Sequence, residues 1–192
     1  MKLGFLILRS YLIGSIPFGL IVGKTKNIDI RKLGSGNIGA TNIWRNLGKF
    51  LGMIVFVLDF LKGFLVVFLS NLIFGNQPWL ITLAAMAVIL GHCFPLFLKF
   101  KGGKGISTTA GIIAQINWLI LLVAFLVWLM IVIKTRYVSL SSITVAILIP
   151  ILMVLGHQSL WYLIFGLFLA IFVPLRHKEN VKRLISGCEN KI

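Results

Sequence analysis

The number of membrane segments in this chain depends on residues 106–133, whose sequence is ISTTAGIIAQINWLILLVAFLVWLMIVI. The polar side chains of Gln115 and Asn117 interrupt this apolar run near its middle. A helix needs about 20 residues to cross roughly 30 Å of hydrocarbon. The run is therefore long enough for one tilted helix, or for two shorter helices that meet near Asn117.

The rest of the chain is equally apolar. Of its 192 residues, 59% are hydrophobic and 12% are charged, whereas a soluble globular domain has about 25% charged residues. Disordered chains are poor in hydrophobic and aromatic residues, so disorder is also excluded. The composition predicts an all-α polytopic membrane protein with a single helical membrane domain, residues 1–192. Besides residues 106–133, five stretches have the length of a span: Leu3–Val22, Phe50–Phe74, Trp79–Leu98, Val138–Leu155 and Leu160–Leu175.

The distribution of positive charge favours two helices within residues 106–133. Basic residues accumulate on the cytoplasmic side of membrane proteins, and residues 24–49 carry six of them. This loop is therefore predicted to be cytoplasmic, with the N-terminus outside. If residues 106–133 contain two segments, the C-terminus is cytoplasmic and sixteen of the nineteen Lys and Arg residues lie inside. We therefore predict seven membrane segments. Ile106–Ile116 is the short one, reaching only about 16 Å, and a re-entrant loop is its alternative form.

The first polar cluster is the loop Gly34–Asn42, GSGNIGATN, which is followed by Arg45. It matches the pattern G-x-G-x-x-G, but a dinucleotide site requires a preceding strand, and the flanking segments here are apolar helices. A small, flexible loop would explain the glycines, yet not the Ser, Thr, Asn and Arg residues beside them. We interpret the cluster as an oxyanion-binding loop.

The second cluster is Lys101–Gly105, KGGKG, which precedes Ser107 and the predicted helix. No Ser or Thr follows Lys104 directly, so the P-loop pattern is incomplete. Glycines allow backbone N–H groups to surround an anion, and a helix N-terminus favours negative charge. Lysines near a membrane also fix topology or contact lipid head groups. The three interleaved glycines favour a phosphate site.

The third cluster is the tail Arg176–Asn180, RHKEN. His177 and Asn180 are spaced i, i+3 and would share a face of a helix, although spacing alone favours a solvated basic tail. Three serines, including Ser142, lie near the start of Val138–Leu155. Helix N-capping accounts for one of them, and the surplus suggests ligand binding.

Inside the spans, Asp59 and Lys62 are spaced i, i+3 and are predicted to neutralise each other. His92 is predicted to be a packing residue, with general base as its reserve role. We expect no histidine–carboxylate pair, and therefore no Ser/His/Asp catalytic set. Only four residues are Asp or Glu, which argues against a metal site. No metal, cofactor or nucleic acid is predicted.

Taken in order, these clusters resemble the acyl-phosphate-dependent glycerol-3-phosphate acyltransferase family of bacterial membranes. One departure is Ile38, where members of that family often have proline. The matching stretches extend from end to end of the chain: Tyr11–Pro17, Gly34–Asn42, Asp59–Gly63, Gly91–Pro95, Phe100–Gly105 and Leu175–Leu184.

The resemblance implies transfer of a fatty acyl group from acyl phosphate to glycerol 3-phosphate, giving lysophosphatidic acid and phosphate, the first step of phospholipid synthesis. It also implies seven membrane segments and a bacterial cytoplasmic (inner) membrane location, in contact with membrane lipids. Both substrates carry phosphate, which agrees with basic clusters at the cytoplasmic face. Two alternatives remain at this point: a transporter or flippase for an anionic lipid or organic phosphate, and a lipid-binding scaffold without activity.

The clusters and the resemblance together predict the site. The glycerol hydroxyl is expected to attack acyl phosphate directly, without an acyl-enzyme, since phosphate is already a good leaving group and positioning is what the reaction needs. The residues predicted to bind phosphate are Ser35, Arg45, Lys104, His177 and Asn180, with Ser142 as a further candidate. Those predicted to orient the acyl-phosphate head are Asn37, Thr41, Asn42, Gly102 and Gly103.

Overall fold

The structure, a computed structural model, describes residues 2–192, and its regular secondary structure in that range is helical. Short 3-10 turns occur at Ile30–Lys32 and Leu96–Leu98. The α-helices within the described residues are α1 (Lys2–Gly14), α2 (Phe18–Lys24), α3 (Ala40–Leu47), α4 (Lys49–Phe74), α5 (Pro78–Cys93), α6 (Ile106–Ile116), α7 (Trp118–Thr135), α8 (Val138–Leu155), α9 (Leu160–Arg176) and α10 (Lys178–Ile185).

The predicted all-α membrane class is confirmed. Helices α9 and α10 form a candidate span that is bent by 62°, and α6 is a shorter apolar helix. The total of seven segments and their orientation remain predictions. Five stretches are long and apolar enough to cross a membrane: Lys2–Lys24, Lys49–Phe74, Pro78–Leu98, Trp118–Thr135 and Val138–Leu155.

The first span differs from the continuous helix that its hydropathy suggests. Helix α1 ends at Gly14 and α2 begins at Phe18, with Pro17 as the N-cap residue of α2. Proline has no backbone N–H to donate and its ring excludes it from a helix interior. The break leaves the carbonyl of Ile16 outside the regular helical hydrogen bonds.

The interruption predicted within residues 106–133 is confirmed. Helix α6 ends at Ile116 and α7 begins at Trp118. Between them Asn117 is extended, and its Oδ1 accepts hydrogen bonds from the N–H groups of Leu119 at 2.9 Å and Ile120 at 3.3 Å. Asn117 therefore starts a new helix by capping it.

Two compact units make up the chain, the first ending at Gln115 and the second running Ile116–Ile192. In the first unit, α1 and α5 approach closely where both have glycine. A Cβ at Gly14 would overlap the Val88 carbonyl oxygen, and a Cβ at Gly91 would overlap that of Tyr11. Small residues at such crossings let membrane helices pack backbone to backbone.

Helices α4 and α6 of the first unit are packed in the same way. A Cβ at Gly63 would overlap the carbonyl oxygen of Thr108, and a Cβ at Gly111 would overlap that of Phe60. This contact places the start of α6, and the glycine loop before it, against the middle of α4.

The second unit contains α7 to α10 and the tail that follows them. Gly166 of α9 packs against Pro150 of α8, where its Cβ would lie 3.1 Å from the proline Cα. The tail returns to the start of α8, because the N–H of Ile192 donates to the carbonyl of Arg136 at 3.0 Å.

Candidate active site

Asn42, in the first turn of α3, holds the preceding glycine loop in shape. Its Nδ2 donates to the carbonyl oxygens of Leu33 at 3.0 Å and Asn37 at 2.8 Å. Its Oδ1 accepts from the N–H of Ser35 at 3.0 Å, and the residue is only 3% exposed. The amide is thus engaged inside the protein, so Asn42 shapes the loop.

Glycines allow the loop to fold around Asn42. Gly34 and Gly36 have φ of 53° and 68°, a region that residues with a Cβ rarely adopt. Asn37 makes the next turn, since its Oδ1 accepts from the N–H of Gly39 at 2.8 Å. Three of the polar residues singled out in the sequence, at positions 35, 37 and 42, are therefore brought together.

Helix α3, which carries Thr41 and Arg45, packs on a buried hydrophobic core. Ile43 is completely buried together with Ile30, in a core that also contains Val55 of α4. Thr41 and Arg45 remain partly exposed, and Ser35 is exposed. A hydroxyl and a guanidinium are thereby presented at the surface of a rigid element.

The second glycine loop is attached to the C-terminal end of α5. The N–H of Gly102 donates to the carbonyl of Cys93, and the N–H of Gly103 donates to that of His92, both at 3.1 Å. A Cβ at Gly103 would overlap the imidazole Nε2 of His92. The two predicted amide donors are therefore used within the protein, and Lys104 follows them, partly buried.

His92 belongs to a buried network with Asp59 and Lys62 of α4. Lys62 Nζ lies 2.7 Å from Asp59 Oδ1 and 2.8 Å from His92 Nδ1, and it donates to the carbonyl of Ile16 at 3.3 Å. The predicted Asp59–Lys62 pair is confirmed. The expectation that no histidine has a carboxylate partner is wrong, because His92 Nδ1 is 3.5 Å from Asp59 Oδ1.

The tail of the second unit is folded around a carboxylate, Glu189, that was not among the residues predicted from the sequence. Glu189 is 7% exposed, and its Oε1 accepts from Asn180 Nδ2 at 2.7 Å and from Ser139 Oγ at 2.9 Å. Its Oε2 accepts from Arg183 Nε at 2.8 Å. The tail is therefore only partly solvated: Lys178 and Lys182 are exposed, whereas Asn180 is buried. The available signal was that Glu189 is one of only four acidic residues.

Burial and hydrogen bonding act in opposite directions on Glu189. Burial disfavours its charged form, but the three donors outweigh that effect and lower the pKa of the carboxyl below its ordinary value. The charged carboxylate thereby holds the side chain of Asn180 in one orientation.

His177 lies at the bend between α9 and α10, where it is the N-cap residue of α10, three residues before Asn180. It is 3% exposed, and its Nδ1 lies 2.8 Å from the carbonyl of Val173. The carbonyl can only accept, so we assign the ring proton to Nδ1.

The serines of α8 do not cap that helix, because its N-cap residue is Tyr137. Ser142 is 3% exposed, and its Oγ donates to the carbonyl of Val138 at 2.8 Å and accepts from Trp128 Nε1 at 3.3 Å. Among residues 2–192, no group of three His, Cys, Asp or Glu side chains could hold a metal ion.

The predicted residues are thus divided between the two units, each with its own arrangement. The second unit contains Ser142, His177 and Asn180. The first contains Ser35, Asn37, Thr41, Asn42, Arg45, His92, Gly102, Gly103 and Lys104.

Comparison with known proteins gives matches along the whole chain. A family model for glycerol-3-phosphate acyltransferase matches residues 4–187. A glycerol-3-phosphate acyltransferase from Desulforamulus reducens is 51% identical over 97% of this chain and 94% of the relative. One from Aquifex aeolicus is 42% identical over 100% of both chains.

Solved structures agree with the sequence relatives. PlsY, an integral membrane glycerol 3-phosphate acyltransferase, in its glycerol 3-phosphate form has a TM-score of 0.96 and 41% identity to this chain, covering 100% of this chain and 96% of that one. The lysophosphatidic acid form has a TM-score of 0.94 and 40% identity over the same shares.

Proposed function

Because the chain belongs to the glycerol-3-phosphate acyltransferase family, we propose that it transfers a fatty acyl group to glycerol 3-phosphate and releases lysophosphatidic acid. The observation that carries this proposal is the similarity along the full length of the chain, to structures in a glycerol 3-phosphate form and a lysophosphatidic acid form. These two compounds are the acceptor and the product of the proposed reaction.

The donor in this proposal is acyl phosphate, and the glycerol hydroxyl attacks its acyl carbon directly. A new ester C–O bond forms while the C–O bond to phosphate breaks, and the leaving phosphate takes the hydroxyl proton. His92 and Asp59 both lie beside the ammonium of Lys62. Positioning and charge stabilisation then carry the catalysis.

The residues divide into those that contact substrate and those that hold the loops. In the proposal, Arg45 and Lys104 bind phosphate oxygens with Ser35, while Thr41 orients the acyl-phosphate head. Ser142, His177 and Asn180 remain proposed phosphate ligands of the second unit. The positions that shape the loops are Asn37, Asn42, Gly102 and Gly103, which make hydrogen bonds within the protein.

We further propose a single membrane domain of seven segments in the bacterial inner membrane, with the site at the cytoplasmic face and membrane lipids around it. The positive loops support this orientation. A soluble glycerol 3-phosphate and a lipid-tailed donor would meet at such a face.

The experiment mixes the purified protein with acyl phosphate and follows phosphate and lysophosphatidic acid with and without glycerol 3-phosphate. We expect both products only when glycerol 3-phosphate is present. Phosphate release that does not depend on glycerol 3-phosphate, or the absence of phosphate release, would contradict the proposal. Movement of either compound across vesicles without acyl transfer would instead support a transporter. A covalent acyl-enzyme would contradict direct attack.

A further inference from the structure

We infer that Asp59, Lys62 and His92 are positioning residues, which hold the loop of Gly102 and Gly103 and thereby place Lys104 for phosphate binding. The inference rests on the proposed function and adds to it three residues that contact the loop and its neighbours but not the substrate.

The first step is the set of polar contacts around the Lys62 ammonium. An ammonium group has three N–H donors, and Lys62 Nζ has three acceptors around it: Asp59 Oδ1 at 2.7 Å, His92 Nδ1 at 2.8 Å and the Ile16 carbonyl at 3.3 Å. All three side chains of the network are at most 5% exposed. Since Nδ1 accepts from Lys62, we assign the proton of the neutral imidazole to Nε2.

The second step is the contact between His92 and the glycine loop. Lys62 fixes the ring on its Nδ1 side, so the Nε2 edge points to Gly103, whose Cβ would overlap it. The backbone of the same loop pairs with the carbonyls of His92 and Cys93. Lys104 follows Gly103 directly, so a rotation of the His92 ring would move the backbone of Lys104.

The third step explains why the network is more than a neutralised ion pair. Asp59 and Lys62 could cancel each other's charge without a third residue. Lys62 instead also joins α5 through His92 and the break between α1 and α2 through Ile16. Buried charges are costly to desolvate, and the ammonium of this ion pair also contacts two neighbouring elements.

A conservative substitution separates positioning from base catalysis. In His92→Asn, the amide Oδ1 can replace Nδ1 as the acceptor for Lys62, but asparagine cannot accept a proton as a base. We expect His92→Asn to keep more of the acyltransferase activity than His92→Leu, because asparagine restores the acceptor for Lys62 although its shorter side chain does not replace the ring edge at Gly103. His92→Leu, which loses both contacts, should lose about 10²-fold, as a small misplacement of a binding group does. His157→Asn, at an exposed histidine, is the matched control and should be unchanged. If His92→Asn is as inactive as His92→Leu, the inference is overturned.

A double substitution tests the contact with the loop. Gly103→Ala should lower activity strongly in the wild-type protein, because its Cβ meets the imidazole. In the His92→Asn background the penalty should be much smaller, since the shorter amide leaves room. An equal penalty in both backgrounds would mean that the two residues are not coupled, and would overturn the inference.

The outcomes also separate this inference from the proposed function. If the wild-type protein makes lysophosphatidic acid but either test above fails, the network inference is wrong and the function stands. If the wild-type protein is inactive, the function is wrong. Thermal unfolding of the detergent-purified variants then still measures whether Gly103→Ala and His92→Asn are coupled, and it confirms that each variant is folded.

Discussion

At the residue scale, the side chains of the first unit that we propose to bind substrate phosphate most directly are Arg45 and Lys104. Arg45 lies on α3, which is anchored by the buried Ile43, and Lys104 follows the loop attached to α5. Both cations are thus carried by elements that have little freedom to move. A cation held in place needs no reorganisation when charge develops on the leaving phosphate.

Removal of either cation should therefore lower the reaction rate more than removal of a cation on a mobile segment. We expect Arg45→Ala and Lys104→Ala each to lower the rate by about 10²–10³-fold. Lys26→Ala, at an exposed lysine of the first basic loop, is the control and should stay near the wild-type rate. Initial rates of glycerol 3-phosphate-dependent phosphate release measure the effect. Losses below about tenfold for both would remove them from the proposed machinery.

Asn42 acts on the loop and should affect stability as well as rate. Asn42→Ala leaves the carbonyls of Leu33 and Asn37 and the N–H of Ser35 without their side-chain partner. We expect a loss of about 1–3 kcal/mol, measured by denaturation of the purified protein, together with lower activity. Asn46→Ala is the matched control, since Asn46 is exposed and bonds mainly to Asn42. Equal losses of stability in both variants would contradict the conclusion that Asn42 holds the loop in shape.

Residue-scale contacts were predictable only where they follow from helical spacing. Asp59 and Lys62 are one turn apart, so their ion pair could be predicted from the sequence. The approach of His92 depends on how α5 packs against α4, and no spacing encodes that. For the same reason the scarcity of acidic residues could draw attention to Glu189, but the short polar tail has no periodicity that would identify Asn180 as its partner.

At the element scale, the helices could be predicted because hydrocarbon thickness sets their length. The predicted Val138–Leu155 is α8 itself, and Phe50–Phe74 differs from α4 by one residue at its start. Hydropathy does not report backbone breaks, so the interruption of the first span at Pro17 was missed. The break at Asn117 was visible because polar residues mark it.

The tail after α10 is an element held by one charged group, and its docking should depend on pH. The lowered pKa of Glu189 means that its stabilisation is fully present above the ordinary value of 4.5 and is lost as the pH falls through the lowered pKa. We expect the protection of the Cys188 and Ile192 amides from hydrogen exchange to fall on acidification. These amides donate to the carbonyls of Arg183 and Arg136.

Substitution separates this effect from general acid unfolding. Glu189→Gln should remove the pH dependence of tail protection between neutral pH and the acid range. Glu179→Gln is the matched control, because Glu179 is exposed and pairs only loosely with Lys182, at 3.6 Å. Tail protection that keeps its pH dependence in Glu189→Gln would show that another group holds the tail.

At the scale of the whole molecule, the nineteen basic residues, against four acidic ones, are used in two ways. One part lies in loops and fits the rule that positive charge stays in the cytoplasm. The other part is used in structure: Lys62 inside the membrane domain and Arg183 on Glu189. Arg45 and Lys104, which are proposed to bind phosphate, belong to the basic loops that predict the topology.

The topology prediction can be tested with Cys188, an exposed thiol, because the other cysteine, Cys93, is buried. If there are seven segments with the C-terminus inside, a membrane-impermeant maleimide should label Cys188 only in inside-out vesicles. In a Cys188→Ser background, Gln158→Cys should be labelled from the outside and Thr25→Cys only from the inside. A single crossing by residues 106–133 would exchange the labelling of positions 158 and 188 and leave position 25 unchanged. An inverted protein of seven segments would reverse all three, so the pattern identifies both the count and the orientation.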